Sequence, residues 1–176
     1  MAMKTMITSH EEGIKKLRGL TKNIKFCMLT TVDETGVLRS RPTAIQKMDI
    51  NGDLYIVIGR NTGAATAVEH NHCVSASFAN DCGDVAVSVY GRAKLIGDRQ
   101  KMAELWEPIF QHRFPQGLDD PNLALMKIEV ESAEHWDSRR RVLSTLVRTE
   151  RNSPSCAFPV PADMGNQTNE TYDRCE

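Results

Sequence analysis

The sequence lacks the features that mark several common protein classes. Lys and Arg total 22 against 23 Asp and Glu, so the net charge of −1 provides no general attraction to nucleic acid or to a membrane surface. No apolar run is long enough to cross a bilayer, and the N-terminus has no signal-peptide pattern. The P-loop, GxSxG and dinucleotide-binding motifs are also missing. We therefore expect a cytoplasmic protein with neither a nucleic-acid nor a membrane partner.

The five cysteines are irregularly spaced and include no CxxC pair, which predicts reduced thiols and no zinc motif. The nearest approach to a metal-ligand cluster is His70, His72 and Cys73, with Cys82 as a further candidate. Their H-x-H-C spacing matches no common zinc pattern, and histidines near a helix C-terminus are explained by the helix dipole. We predict no metal site.

What the sequence does have is a series of strand patterns. In the segment at 24–32, residues 26, 28, 30 and 32 fall on one face and residues 27, 29 and 31 on the other, and Gly36 then supplies a turn. Asn51-Gly52 is a strong hairpin signal between the next two segments. Further strand patterns bring the total to about six, which predicts a mainly β fold: a small antiparallel barrel with peripheral helices. The predicted strands cover residues 24–32, 37–50, 54–58, 74–79, 85–96 and 123–130.

Helix signals lie around this β region. Ser9 begins a capping box, Asn61 or Thr62 can cap a short helix, and Asp98 can cap a helix that Pro108 must break or kink. We divide the chain into an N-terminal helix within residues 1–23, a β domain at 24–137, a short C-terminal helix within 138–151 and a disordered tail at 152–176. In the C-terminal helix, the inward residues are Val142, Leu143, Leu146 and Val147.

Polar residues in the middle of the second strand are the main candidate site. Arg39, Arg41 and Thr43 alternate, so they project from one face. Two guanidinium groups and a hydroxyl suit a phosphate or a carboxylate, although an exposed face in contact with water explains them equally well. The loop after Gly59 enters a helix N-terminus, where free N–H groups favour an anion.

These motifs, taken in order, resemble the pyridoxamine 5'-phosphate oxidase-like family, and specifically its general stress protein branch, over residues 24–137. The resemblance implies a six-stranded antiparallel split β-barrel that binds FMN, with FAD as an alternative. It also implies a homodimer with the flavin site at the interface. The matching segments are MLTTVDETG, SRPTAIQ, NGDLYIVIGRNTG, VSVYGRAKLI, AELWEPIF, FPQG and AEHWD.

The resemblance also implies which residues bind the cofactor. Arg41 would hold the flavin phosphate with Ser40 and Thr43 beside it. The loop after the third strand would contribute Ile58, Gly59, Thr62 and Gly63. Trp136 would lie near the flavin ring, and Trp106 would approach the flavin of the second subunit, although residue patterns alone place both tryptophans in the core.

One position departs from the family. Its loop carries a Ser-x-Lys pattern with the lysine on the phosphate, whereas this chain has Thr62-Gly63-Ala64. Arg39 and Arg60 are the candidates to replace the missing lysine.

The resemblance implies an FMN-dependent oxidoreductase of the pyridoxamine 5'-phosphate oxidase-like or flavin reductase-like type. A non-catalytic flavin-binding stress protein and an interaction module without a cofactor are the alternatives. The sequence contains no convincing acid–base pair, and His135 should face away from the adjacent Trp136. We therefore assign no catalytic side chain.

Overall fold

The computed structural model describes residues 5–6, 9–44, 47–80 and 85–149. The predicted tail at 152–176 lies outside these residues. The described part of the chain contains nine strands, three α-helices and two short 3₁₀ segments, Pro108–His112 and Gly117–Asp119. The strands are β1 (Thr5–Met6), β2 (Phe26–Val32), β3 (Leu38–Ala44), β4 (Lys47–Met48), β5 (Leu54–Gly59), β6 (Cys73–Ala79), β7 (Val85–Ile96), β8 (Leu123–Asp137) and β9 (Val142–Arg148), and the helices are α1 (His10–Thr21), α2 (Gly63–His70) and α3 (Arg99–Glu104).

All nine strands belong to one curled sheet. Its order is β1-β9-β8-β7-β6-β2-β3, and β5 pairs with both β8 and β4. Every pairing is antiparallel except that of β1 with β9. The predicted fold class is therefore confirmed: the chain is mostly β, with an antiparallel half-barrel of the split-barrel kind. The sheet exceeds the predicted six strands because β1 and β9 extend it and the second predicted strand is divided into β3 and β4.

The predicted C-terminal helix is wrong, because Val142–Arg148 forms a strand. Strand β8 extends to Asp137 and leaves an edge on which β9 can pair. The Asp137 carboxylate accepts the backbone N–H groups of Arg139 and Arg140 at 3.1 and 3.0 Å, which stabilises the hairpin turn. The expected inward residues are instead distributed along a strand whose positions 144–147 are all buried.

The helix signals are confirmed in position but not always in length. Ser9 accepts the N–H of Glu12 at 3.3 Å and Thr62 caps α2. Asp98 accepts the N–H of Lys101 at 2.9 Å, but α3 ends at Glu104, well short of the expected boundary near Pro108.

Helix α1 packs on β9 through a glycine. Ile14 and Leu17 of α1 belong to the core of the half-barrel. Leu146 is skipped in the pairing of β9 with β8, and its carbonyl group lies where a Cβ atom on Gly13 would be. By contrast, a Cβ on Gly19 of the same helix meets nothing within 4 Å. The helix can therefore approach the sheet only because residue 13 has no side chain.

We expect Gly13→Ala and Gly19→Ala to have opposite effects on stability. Alanine in a helix interior is favoured over glycine by about 0.5–1 kcal/mol, so Gly19→Ala should stabilise the protein by roughly that amount. Gly13→Ala should destabilise it by about 1–3 kcal/mol or more, because the new methyl group overpacks the contact. Urea unfolding followed by circular dichroism measures both. Equal stabilisation by the two substitutions would contradict the packing of α1 on β9.

Candidate functional site

Arg41 is a half-buried cation on the concave side of the sheet. It pairs with Leu29 across β2 and β3, and directly paired residues share a face. Its guanidinium group donates a hydrogen bond from Nη1 to Oγ1 of Thr31 at 3.2 Å, and Thr31 is fully buried. No carboxylate among the described residues forms an ion pair with Arg41. A half-buried guanidinium group without a carboxylate partner has unused donors for an external anion.

The N-terminus of α2 lies against Arg41. The Nη2 atom of Arg41 is 3.1 Å from the position that a Cβ on Gly63 would occupy. The N–H groups of Gly63 and Ala64 are in the first turn of α2, where backbone donors have no partner within the helix. The structure therefore brings the predicted strand residue, Arg41, next to the predicted loop. Together they offer a guanidinium group and free backbone N–H donors.

Thr62 supports this arrangement mainly as a helix cap. Its hydroxyl group donates to the Gly59 carbonyl at 2.7 Å and accepts the N–H of Ala65 at 3.4 Å. Since its one proton is engaged with Gly59, Thr62 can bind an anion only through the backbone of the loop that it shapes. Ile58, the residue before Gly59, is buried in the core and holds the end of β5 in place.

Asn122 is a supporting residue that the sequence analysis missed. Its backbone carbonyl accepts the N–H of Arg60 at 2.7 Å, and its side-chain oxygen accepts the N–H of Asn61 at 3.0 Å. The Asp120 carboxylate in turn accepts the N–H of Asn122 at 3.0 Å. The sequence DDPN contains the signal for an Asx turn. Its contact with the loop could not be read from the sequence, because Asn122 and Asn61 are 61 residues apart in the chain.

Three other candidate residues on β3 have partners of their own. Ser40 lies on the opposite face, where its hydroxyl group is 2.7 Å from that of Thr30. The Thr43 hydroxyl group donates to the carbonyl oxygen of Arg41 at 3.3 Å. Arg39 shares the face of Arg41 but forms an ion pair with Asp33 at 3.1 Å.

The two tryptophans lie in different places. Trp136, 38% exposed, lines a groove of about 530 Å³ on the convex side of the sheet, opposite to Arg41. Trp106 packs beside α3, where its ring centroid is 5.8 Å from that of Phe110 in an edge-to-face arrangement. The structure therefore brings neither tryptophan to Arg41 within one chain. The residues that line the Trp136 groove include Phe26, Met28, Pro42, Glu134, Trp136 and Leu143.

The Trp136 groove contains an apolar surface and no reactive thiol. Phe26 and Met28 are 64% and 43% exposed, which is unusual for large apolar side chains. Cys27 also borders the groove, but burial raises the pKa of its thiol to about 12. Cys27 is therefore protonated at neutral pH and is a poor nucleophile.

The acid–base candidates are dispersed. His135 is buried on the face opposite to Trp136, as predicted, and burial together with the charge of Lys16 lowers its pKa. The N–H of Arg140 lowers the pKa of Asp137, so that carboxyl group is ionised and engaged in its turn. His112 is exposed in a 3₁₀ segment. His135 and Asp137 lie two residues apart on β8 and their charges interact, but Nδ1 of His135 has no hydrogen-bond partner among the described residues.

Two further observations concern cysteine and metal chemistry. Cys73 is disulfide-bonded, so the expectation of reduced thiols is wrong at this position. Within residues 9–44, 47–80 and 85–149, no group of three His, Cys, Asp or Glu side chains is arranged to hold a metal ion. The described helices also include none that is long and apolar enough to span a membrane.

Sequence comparisons identify relatives of this chain. It is 32% identical to general stress protein 26 of Bacillus subtilis over 81 residues, which are 44% of this chain and 57% of that protein. It is 24% identical to protein bli-3 of Neurospora crassa over 143 residues, which are 76% of this chain and 68% of that protein.

Solved structures share the fold. A protein related to general stress protein 26 from Clostridium acetobutylicum superposes with a TM-score of 0.64 at 18% identity, covering 76% of this chain and 94% of that one. The general stress FMN/FAD binding protein of Xanthomonas citri gives a TM-score of 0.61 at 22% identity, covering 74% and 90%. The sequence pattern of the family described as pyridoxamine 5'-phosphate oxidase like matches residues 12–153, and the chain belongs to that family.

Proposed function

We propose that the protein binds FMN, with the flavin phosphate between Arg41 and the N-terminus of α2, and acts as a flavin-dependent oxidoreductase. The observation that carries this proposal is the half-buried Arg41 guanidinium group, which has no carboxylate partner among the described residues and lies against Gly63. The name of the Xanthomonas citri relative, an FMN/FAD binding protein, supports a flavin and leaves FAD as the alternative cofactor.

The residues present fit a phosphate group. Gly63 leaves open the space beside Nη2 of Arg41 that a side chain would fill. The first N–H groups of α2 and its dipole add neutral donors and partial positive charge to the guanidinium group. Thr62 and Asn122 fix the loop that presents these donors.

Ala64 stands where the family has a phosphate-binding lysine, so one charged contact must be lost or replaced. Such a contact is worth about 1.5–3 kcal/mol. Arg39 is a poor replacement because it is paired with Asp33. Arg60 is the better candidate, because its side chain is exposed and its backbone is held by Asn122 at the start of the same loop.

We further propose a homodimer in which the Trp136 groove is covered by the second copy. The phosphate donors and Trp136 are on opposite faces of the sheet. One bound flavin can therefore contact both more easily if the phosphate donors come from one chain and Trp136 from the other. Covering Phe26, Met28 and Trp136 would also remove an apolar surface from water.

Flavin supplies the redox chemistry when bound, since its ring accepts and donates hydride. The protein side chains would bind the phosphate, orient the ring and exclude water. Flavin binding without turnover is the second candidate function. It is favoured by one observation: the described residues place no acid–base pair and no ionised thiol at the site.

We expect Arg41→Ala to weaken FMN binding by about ten- to a hundredfold, because a charge-assisted contact of about 1.5–3 kcal/mol is lost. Arg39→Ala is the matched control, since it removes a guanidinium group from the same strand face that is already paired with Asp33. FMN titration, followed by flavin absorbance at about 450 nm, measures both affinities. Equal affinities for wild type and Arg41→Ala would place the phosphate elsewhere.

We expect the protein to be a dimer at micromolar concentration and Phe26→Glu to be a monomer, because a buried carboxylate at an apolar interface is costly. Ile50→Glu is the control, since Ile50 is 79% exposed and does not line the Trp136 groove. Light scattering coupled to size exclusion gives the molecular masses. A monomeric wild type, or a Phe26→Glu variant that remains a dimer, contradicts the proposed interface.

We expect that alanine at His112, Glu134, His135 or Asp137 lowers the rate of flavin reduction by less than about tenfold. A general acid or base contributes about 10²–10⁴-fold, and none of these groups is placed beside Arg41. Stopped-flow reduction of the FMN-loaded variants by NAD(P)H provides the rates. A loss of about a thousandfold at one position, with FMN retained, would reveal a dedicated catalytic side chain.

A further inference from the structure

A second cavity lies away from Arg41. It has a volume of about 410 Å³ and opens between the C-terminal half of α1, the segment before β2, and β4. This volume is within the range of about 300–1,000 Å³ that small-molecule sites occupy. The cavity shares no lining residue with the Arg41 and Gly63 contact.

The rim of this cavity is positively charged. Lys15, Arg18 and Lys22 come from α1 and the residue after it, and Lys47 comes from β4. No aspartate or glutamate of the described residues lines the cavity. This segregation is local, because the whole chain has a net charge of −1.

The four rim cations form no ion pair with the described residues. Lys94, Lys127 and Arg99, by contrast, are each paired with a carboxylate. The dipole of α1 favours cations at its C-terminal end, which accounts for Arg18 and Lys22. It does not account for Lys47, which reaches the same rim from a different element.

The floor of the cavity is apolar. Ile24 and Met48 line it and are partly buried, so they present apolar surface to a ligand, whereas Leu54 and Phe78, which also line it, are 0% and 2% exposed and belong to the core of the half-barrel. A ligand that suits this site needs an anionic head for the rim and an apolar body for the floor. A purely anionic ligand would make no contact with the apolar floor, and a purely apolar ligand would leave the rim cations without an anion.

We propose that this cavity binds a small amphipathic oxyanion, a carboxylate or phosphate monoester with an apolar chain or ring. The head group contacts Arg18 and Lys47, and the apolar body lies on Ile24 and Met48. Arginine and lysine are the usual ligands of both types of oxyanion. The site is separate from the Arg41 and Gly63 contact, although Phe78 also lines the Trp136 groove.

Calorimetric titration of the full chain with four probes tests the ligand class. Octanoate and octyl phosphate should bind, whereas inorganic phosphate and octanol should each bind at least about tenfold more weakly. Lengthening the carboxylate from butanoate to octanoate should improve affinity by up to about fourfold for each methylene group that enters the cavity. The stronger of the two octyl ligands identifies the preferred head group.

Substitutions at Gly19 test the location. Gly19 lines the cavity and a Cβ there meets nothing within 4 Å, so Gly19→Leu should fill the space without strain and reduce octyl-ligand affinity by at least about tenfold. Gly19→Ala adds one methyl group and should bind nearly as well as wild type. Arg18→Gln with Lys47→Gln should also lose at least about tenfold, whereas Lys16→Gln, which removes a charge from α1 outside the cavity, should not.

The proposal is overturned if neither octyl ligand binds, or if Gly19→Leu leaves their affinity unchanged. It is also overturned if inorganic phosphate binds as tightly as octyl phosphate, because the apolar floor would then contribute nothing. FMN affinity measured on Gly19→Leu should equal that of wild type. Loss of FMN binding in that variant would contradict the separation of the two sites.

Discussion

The pairing of β8 with three strands is the constraint on which the rest of the structure depends. One edge of this 15-residue strand pairs with β7 along most of its length. The other edge pairs first with β5, over residues 123–128, and then with β9, over residues 132–137. The pairing with β7 shifts register between these two parts, at Tyr90 and Gly91, where a Cβ on Gly91 would collide with the Glu129 carbonyl. A bulge increases local twist and bends the strand, so the sheet curls and divides at this point.

The position of Arg41 follows from this arrangement through a chain of contacts. Pairing of β5 with β8 places Gly59 opposite Leu123, one residue after Asn122. Asn122 can therefore hold the backbone of the loop that begins α2. Strand β3 approaches the same helix from the far end of the sheet and brings Arg41 to Gly63. The anion site thus joins two ends of the sheet that are distant in strand order.

Local signals in the sequence predicted most elements but few of the contacts between them. Alternation identified the strands, and the short polar side chains of Ser9, Thr62 and Asp98 marked helix starts, because these effects act within a few residues. The helix expected at 138–151 became β9 because an unpaired edge of β8 was available, and this is a tertiary effect. The Asn122 contact was missed for the same reason. The opposite faces of Arg41 and Trp136 could not be deduced, because they belong to different strands whose relation depends on the sheet order.

Ion pairing, rather than position alone, distinguishes the arginines on the concave side of β3. Arg39 and Arg41 are two residues apart and share one face. The carboxylate of Asp33 accepts hydrogen bonds from Thr35 and Val37, and these contacts with the turn, together with Arg39, lower its pKa to about 2. Asp33 is therefore ionised at neutral pH and forms an ion pair with Arg39. Arg41 lies further from that turn, donates a hydrogen bond to the neutral hydroxyl of Thr31, and forms no ion pair with the described residues, so its charge is available for an anion at α2.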